Sequence, residues 1–214
     1  MKQKIVFSGV ILLIFCLEGV LFVQANVQGI INKLDLTATP EEGFLTQETD
    51  LSSSQQDNTD WVNWFNSVSD YLEKMQAIGV RSQMLMMQMQ SEIYEAKQEP
   101  DKKQISKAYS QVAVELDRML KELKAMQPPS ELEVYHEKYI ESVQYIKLLA
   151  DALAGGNKDS AVLNFRKSIL SLLECLNVTK DIYTKHDAPG ELIKAVDMAL
   201  NEFNAMLDKL NNTN

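Results

Sequence analysis

The chain has 214 residues, 45% hydrophobic and 24% charged, with two Cys and two His, which is enough ordinary globular sequence for one sizeable core. A formal charge of -9 with only three arginines, Arg81, Arg118 and Arg166, argues against gripping a phosphate backbone or an anionic membrane surface, so no nucleic-acid partner is expected. The architecture is legible, but no constellation is specific enough to assign a reaction or a ligand.

Residues 1–25 have the parts of a secretory signal: Lys2 and Lys4 at the start, an apolar run from Ile5 to Phe15, and the small-residue exit Val23-Gln24-Ala25. Cleavage after Ala25 is the first expectation. Glu18 interrupts the apolar stretch, and a carboxylate at mid-bilayer costs about 2.5 kcal/mol or more, which weakens an uncleaved anchor without removing that reading. A third reading acylates Cys16, because Leu13-Ile14-Phe15-Cys16 resembles a bacterial lipobox, with bulky Phe15 where such boxes carry a small residue. All three readings put the remainder outside the cytoplasm, and any membrane association is expected through this segment alone. Cleavage leaves Cys175 as the sole cysteine, so stability has to come from burial.

Residues 26–58 are polar and acidic, with Lys33 against Asp35, Glu41, Glu42, Glu48, Asp50 and Asp57, and read as a disordered linker. Val27 to Leu36 leaves room for a short amphipathic piece as an alternative within them. From residue 59 to 214 the texture is that of a helical bundle domain, with four of the five prolines at seams between periodic blocks. The first block carries Trp61, Phe65, Val68, Leu72, Met75, Gly79, Ser82, Met86, Met89, Ile93 and Ala96 as a heptad stripe. The second carries Ile105, Tyr109, Val112, Leu116, Met119, Leu123 and Met126, after Asp101 as a plausible N-cap, and stops at Pro128-Pro129.

The third block opens on Ser130-Glu131-Leu132-Glu133, which has capping-box spacing, and continues through Tyr139, Val143, Ile146 and Leu153 to Gly155-Gly156. The fourth, from Asn157 or Asp159, carries Val162, Phe165, Ile169, Leu172, Leu176 and Tyr183, widened by Leu163, Leu170 and Leu173, and is expected to be the most buried. The fifth follows Asp187-Ala188-Pro189-Gly190 and displays Ile193, Val196, Leu200, Phe203, Leu207 and Leu210. Long helices joined by short loops predict an all-α, antiparallel up-and-down bundle of four to five helices. A first helix reaching Lys97 would outrun the others, so it either breaks near Gly79 or overhangs and offers its stripe to a partner.

Candidate chemistry is sparse. Glu133 and His136 stand three apart, the Glu-x-x-His unit of carboxylate-bridged dimetal bundles, but the matching position before His186 is Tyr183, so the set is incomplete. Met84-Leu85-Met86-Met87-Gln88-Met89 is Met-rich, and thioethers of Met86 and Met89 on one face can hold a soft cation, fill a core or present an adaptable surface. Cys175 lies among leucines and reads as an inert thiol. Trp61, Trp64, Phe65 and Tyr71 form an aromatic cluster that caps the core, covers a ligand or makes a membrane-proximal contact. No nucleophile elbow or phosphate loop occurs, so the chain is expected not to be an enzyme and to need no cofactor. The Asn-x-Thr triplets at Asn177 and Asn211 are read as chance matches.

The run Met126-Gln127-Pro128-Pro129-Ser130-Glu131, with His136 seven residues after the second proline, resembles a pattern in exported or lipid-anchored bacterial helical-bundle proteins, over about residues 105–155. The resemblance implies bacterial export and a helical bundle, with no activity attached. The expected role is therefore a non-catalytic extracytoplasmic bundle that binds an envelope or extracellular protein, or itself, through an uncovered stripe. The alternative is a small-molecule or soft-metal bundle with a pocket near the Met-rich turn and His136.

Overall fold

The computed structural model describes residues 59–95 and 102–211, with side chains at all of these except positions 59, 82, 83, 85–95 and 102. Each periodic block becomes one helix: α1 (Thr59–Glu95), α2 (Lys102–Ala125), α3 (Glu133–Ala154), α4 (Lys158–Lys185) and α5 (Gly190–Asn211), with a 3-10 turn at Ser130–Leu132. No strand occurs among the described residues, as the missing two-residue alternation requires. The chain folds as an all-α helical bundle. Cys16, the linker and Asp101 lie outside the described residues. No helix among those described is long and apolar enough to cross a membrane.

Connections of three residues (155–157) and four residues (186–189) leave α3, α4 and α5 no choice but to run antiparallel to their chain neighbours. The widest interface joins α3 to α4, with α2 against α3 and α5 against α4. That central seam is lined by small side chains: Ser142, Ala150, Ser168 and Cys175 are fully buried. Small residues let the two backbones approach, and the Ser142 hydroxyl donates across the seam to the Ser168 carbonyl (3.4 Å). The sequence reading of α4 needs correction here, because Val162, Leu163 and Leu170 are exposed while Asn164, Ser168 and Ser171 go inward. Apolar character points one way along α4 and close packing another.

The α3–α4 turn is made by three residues. Gly156 adopts φ +72°, its N–H donates to Leu153 O (3.1 Å), and the Asn157 N–H donates to Ala152 O (2.8 Å), which closes α3 in a Schellman motif. Asn157 then starts α4 by accepting the Ser160 N–H on its side-chain oxygen (3.0 Å). The capping box expected at Ser130 and Glu133 does not form. Pro129 is extended (φ -57°, ψ 148°), Ser130 begins a 3-10 turn, and α3 starts at Glu133 with no side-chain cap. Hence Asn157→Ala is expected to cost about 1 kcal/mol and Ser130→Ala under about 0.5 kcal/mol in urea melts, the reverse of what a capping box at Ser130 predicts.

α1 runs without interruption through Gly79 to Glu95, so the break offered as one outcome is not made. Its 37 residues span about 56 Å, against about 36 Å for the 24 residues of α2. Among the described residues, the buried side chains of α1 are Trp61, Trp64, Val68, Tyr71, Met75 and Ile78. The expected column of Phe65 and Leu72 is only partly buried and flanks this seam.

Candidate functional site

Where α1 begins, three segments converge. His186, the last residue capping α4, places Nδ1 3.0 Å from Asp60 Oδ2 on α1 and Nε2 3.1 Å from Glu131 Oε2 in the 3-10 turn. Trp64 stacks on the imidazole with ring centroids 5.1 Å apart, and its Nε1–H donates to Glu131 Oε2 (2.8 Å). The Lys185 ammonium donates to Glu131 Oε1. That ammonium, with the His186 and Trp64 donors, holds the Glu131 carboxyl below the usual carboxylate range against the opposing effect of burial. Beneath it Trp61 packs at 5.1 Å from Trp64, 5.8 Å from Phe65 and 5.1 Å, edge-on, from Tyr183. The cluster fastens the start of α1 to the end of α4 and to the α2–α3 turn, so the aromatic group is a core cap.

One turn into α3, His136 is buried between α1 and the end of α2. Its Nε2 lies 3.0 Å from the Leu123 carbonyl, which only accepts, so Nε2 carries the proton and Nδ1 accepts from the Tyr71 hydroxyl (2.8 Å). Leu123 O belongs to the last turn of α2, where carbonyls run out of helical donors, and Pro128 and Pro129 bring no N–H to that end. The Met126 N–H reaches Leu123 O (3.1 Å), and His136 supplies a second donor. The Pro-Pro and His pattern thus has a local meaning: the histidine closes a helix end. Burial lowers the affinity of His136 for a second proton, partly offset by the Leu123 bond.

Glu133 and His136 do not come together as a dimetal unit. Glu133 is exposed while His136 faces inward, and no group of three or more His, Cys, Asp or Glu side chains that could hold a metal ion occurs among the described residues. Met86 and Met89 lie on the α1 backbone, with side chains outside the described residues. Cys175 is fully buried against the Tyr135 carbonyl (Sγ to O, 3.6 Å), and burial pushes its thiol far above the ordinary range, which agrees with an inert thiol. Tyr71, Tyr135, Tyr139 and Tyr183 are raised likewise by burial. Tyr109 is pushed up to about 12, and its hydroxyl, with that of Ser168, is buried without a hydrogen-bond partner among the described residues.

The sequence reading missed Asp60, Glu131 and Lys185, which are ordinary surface types made specific only by contact across the fold. The one available signal was the scarcity of histidine: with two in the chain, each half-buried or buried ring needs partners, and here both find them more than a dozen residues away. On the surface of α1, Val80 and Met84 are exposed, Met84 at 65%. Comparison with protein-family models, with curated proteins and with solved structures found no match.

Proposed function

We propose that the chain is an exported bacterial helical bundle that acts without catalysis, by binding an extracytoplasmic protein or a second copy of itself along the far half of α1. The observation that carries this reading is the mismatch along α1. α1 outruns α2 by about 20 Å, Val80 and Met84 on its far half are exposed, and the apolar heptad written in the sequence continues through Met86, Met89 and Ile93. Met84 and Met87 lie beside that column, and unbranched thioether side chains adapt to a partner surface better than branched ones. The signal-like residues 1–25 support export.

The test compares the wild-type chain with a triple variant, Met84→Glu, Met86→Glu and Met89→Glu. Size exclusion with light scattering over a hundredfold concentration range and affinity capture from envelope extract are run on both. The reading expects either a mass that rises with concentration or a stoichiometric envelope protein that co-purifies, and expects the variant to lose whichever is seen. A wild-type chain that stays monomeric and captures nothing overturns it, as does binding that the variant retains.

A further inference from the structure

A second apolar surface lies along the outer groove between α3 and α4. Three contacts fix the register of that groove: Lys138 to Glu174 (2.6 Å), Ser142 to Ser168, and Lys167 over the Tyr145 ring (5.3 Å to its centroid). The same register brings Leu148 on α3 level with Leu163 on α4, each one turn from the Lys167–Tyr145 pair. Leu170 follows Leu163 at seven residues, two turns on along the same face. These three leucines are 45%, 52% and 43% exposed, although a leucine fully removed from water contributes about 1.5–3 kcal/mol. Side chains of that size aligned on one groove mark a docking surface, whereas single scattered ones do not.

We infer that the groove lined by Leu148, Leu163 and Leu170 docks residues 27–34 of this same chain. The chemistry matches: Val27, Ile30, Ile31 and Leu34 stand at i, i+3, i+4 and i+7, the anchor spacing of an amphipathic helix laid in a groove. They are the last cluster of large apolar residues before an acidic stretch that has little to bury.

The reach also matches. Asp60 sits against His186 at the end of α4, and Leu163 lies 22 residues before Lys185, about 33 Å along the helix axis. The 25 peptide steps from Leu34 to Thr59 extend to about 85 Å at most. The scale for Gly-rich chains puts their root-mean-square reach at no less than about 28 Å, and the like charges of this acidic stretch extend it towards the span. A linker whose mean reach is close to the span gives a high effective concentration, which favours the chain's own segment over a separate partner. The docking uses no part of α1 beyond its first turn, so it stands or falls separately from the proposed α1 interface.

The experiment places the photo-crosslinking residue p-benzoylphenylalanine at Leu163 in the full chain, a position exposed enough to accept it without disturbing the core. A mixture of unlabelled and nitrogen-15-labelled protein is irradiated and mapped by mass spectrometry. Crosslinks to residues 26–36 within one isotopic form are expected, with yield falling at least fivefold when Ile31→Asp and Leu34→Asp are introduced. The same probe at exposed Val114 on α2 serves as the background. Crosslinks between labelled and unlabelled chains assign the groove to a second copy and overturn the proposal. So does a yield at Leu163 no higher than at Val114, or one that the two Asp substitutions leave unchanged.

Discussion

Trp61→Ala is expected to destabilise the bundle by about 3–5 kcal/mol, the range for emptying a buried Trp site. The indole is 1% exposed and touches three other aromatic rings, so the loss combines transfer of a large apolar surface, an unfilled cavity and the ring pairs, each worth about 0.5–1.5 kcal/mol. For a domain of this size that is a fall in Tm of about 6–20 °C. The effect is also local. α1 has only a light interface with α2 and depends on its N-terminal side chains for anchorage to α3 and α4, so hydrogen exchange in α1 should accelerate more than in α3 or α4. Phe65→Ala, at a partly buried neighbour, should cost about half as much or less. A Trp61→Ala chain that melts within about 2 °C of wild type, or loosens evenly throughout, would show that α1 is not held by this cap.

The first helix shows where sequence reading succeeds and where it stops. The 3.6-residue period and the proline seams locate all five helices, because both follow from local backbone chemistry. The face of α1 is harder. The columns Trp61-Val68-Met75 with Phe65-Leu72 and with Trp64-Tyr71-Ile78 both satisfy heptad spacing, and both are apolar. The structure takes the second, since the polar tips of Trp64 and Tyr71 find Glu131 and His136 there, partners more than sixty residues away. On α4 the same limit appears in another form. Hydrophobic periodicity favours burying Leu163 and Leu170, yet backbone approach against α3 selects Ser168, Ser171 and Cys175. Size at an interface is set by the neighbour, which no single stretch of sequence contains. The clasp at His186 and the helix closure at His136 were illegible for that reason, and the capping-box spacing at Ser130 misled because two prolines fix the backbone before the serine can cap.

His136→Leu is expected to cost about 2–4 kcal/mol, because it fills the volume but strands two buried groups at about 1–3 kcal/mol each, the Tyr71 hydroxyl and the second lone pair of Leu123 O. Adding Tyr71→Phe to His136→Leu should recover part of the loss, and a double-mutant cycle should give a coupling of about 0.5–3 kcal/mol. The same residue predicts a pH dependence of definite sign. Burial holds the folded-state affinity of His136 for a proton below its ordinary value of 6.5, so below that pH the unfolded chain takes up a proton that the folded chain resists. The stability due to this site is fully present above pH 6.5 and declines as pH falls from there through the lowered folded value. Urea melts of wild type and His136→Leu at steps from pH 7.5 to 5 separate this from the carboxylates, whose contribution is common to both chains. The gap between the two proteins should narrow on acidification. A gap that is constant with pH would mean that His136 takes up its proton as readily in the folded bundle as in the unfolded chain, and a gap that widens on acidification would mean that the folded bundle favours the protonated ring. Either result would overturn the helix-end closure drawn from its neutral tautomer.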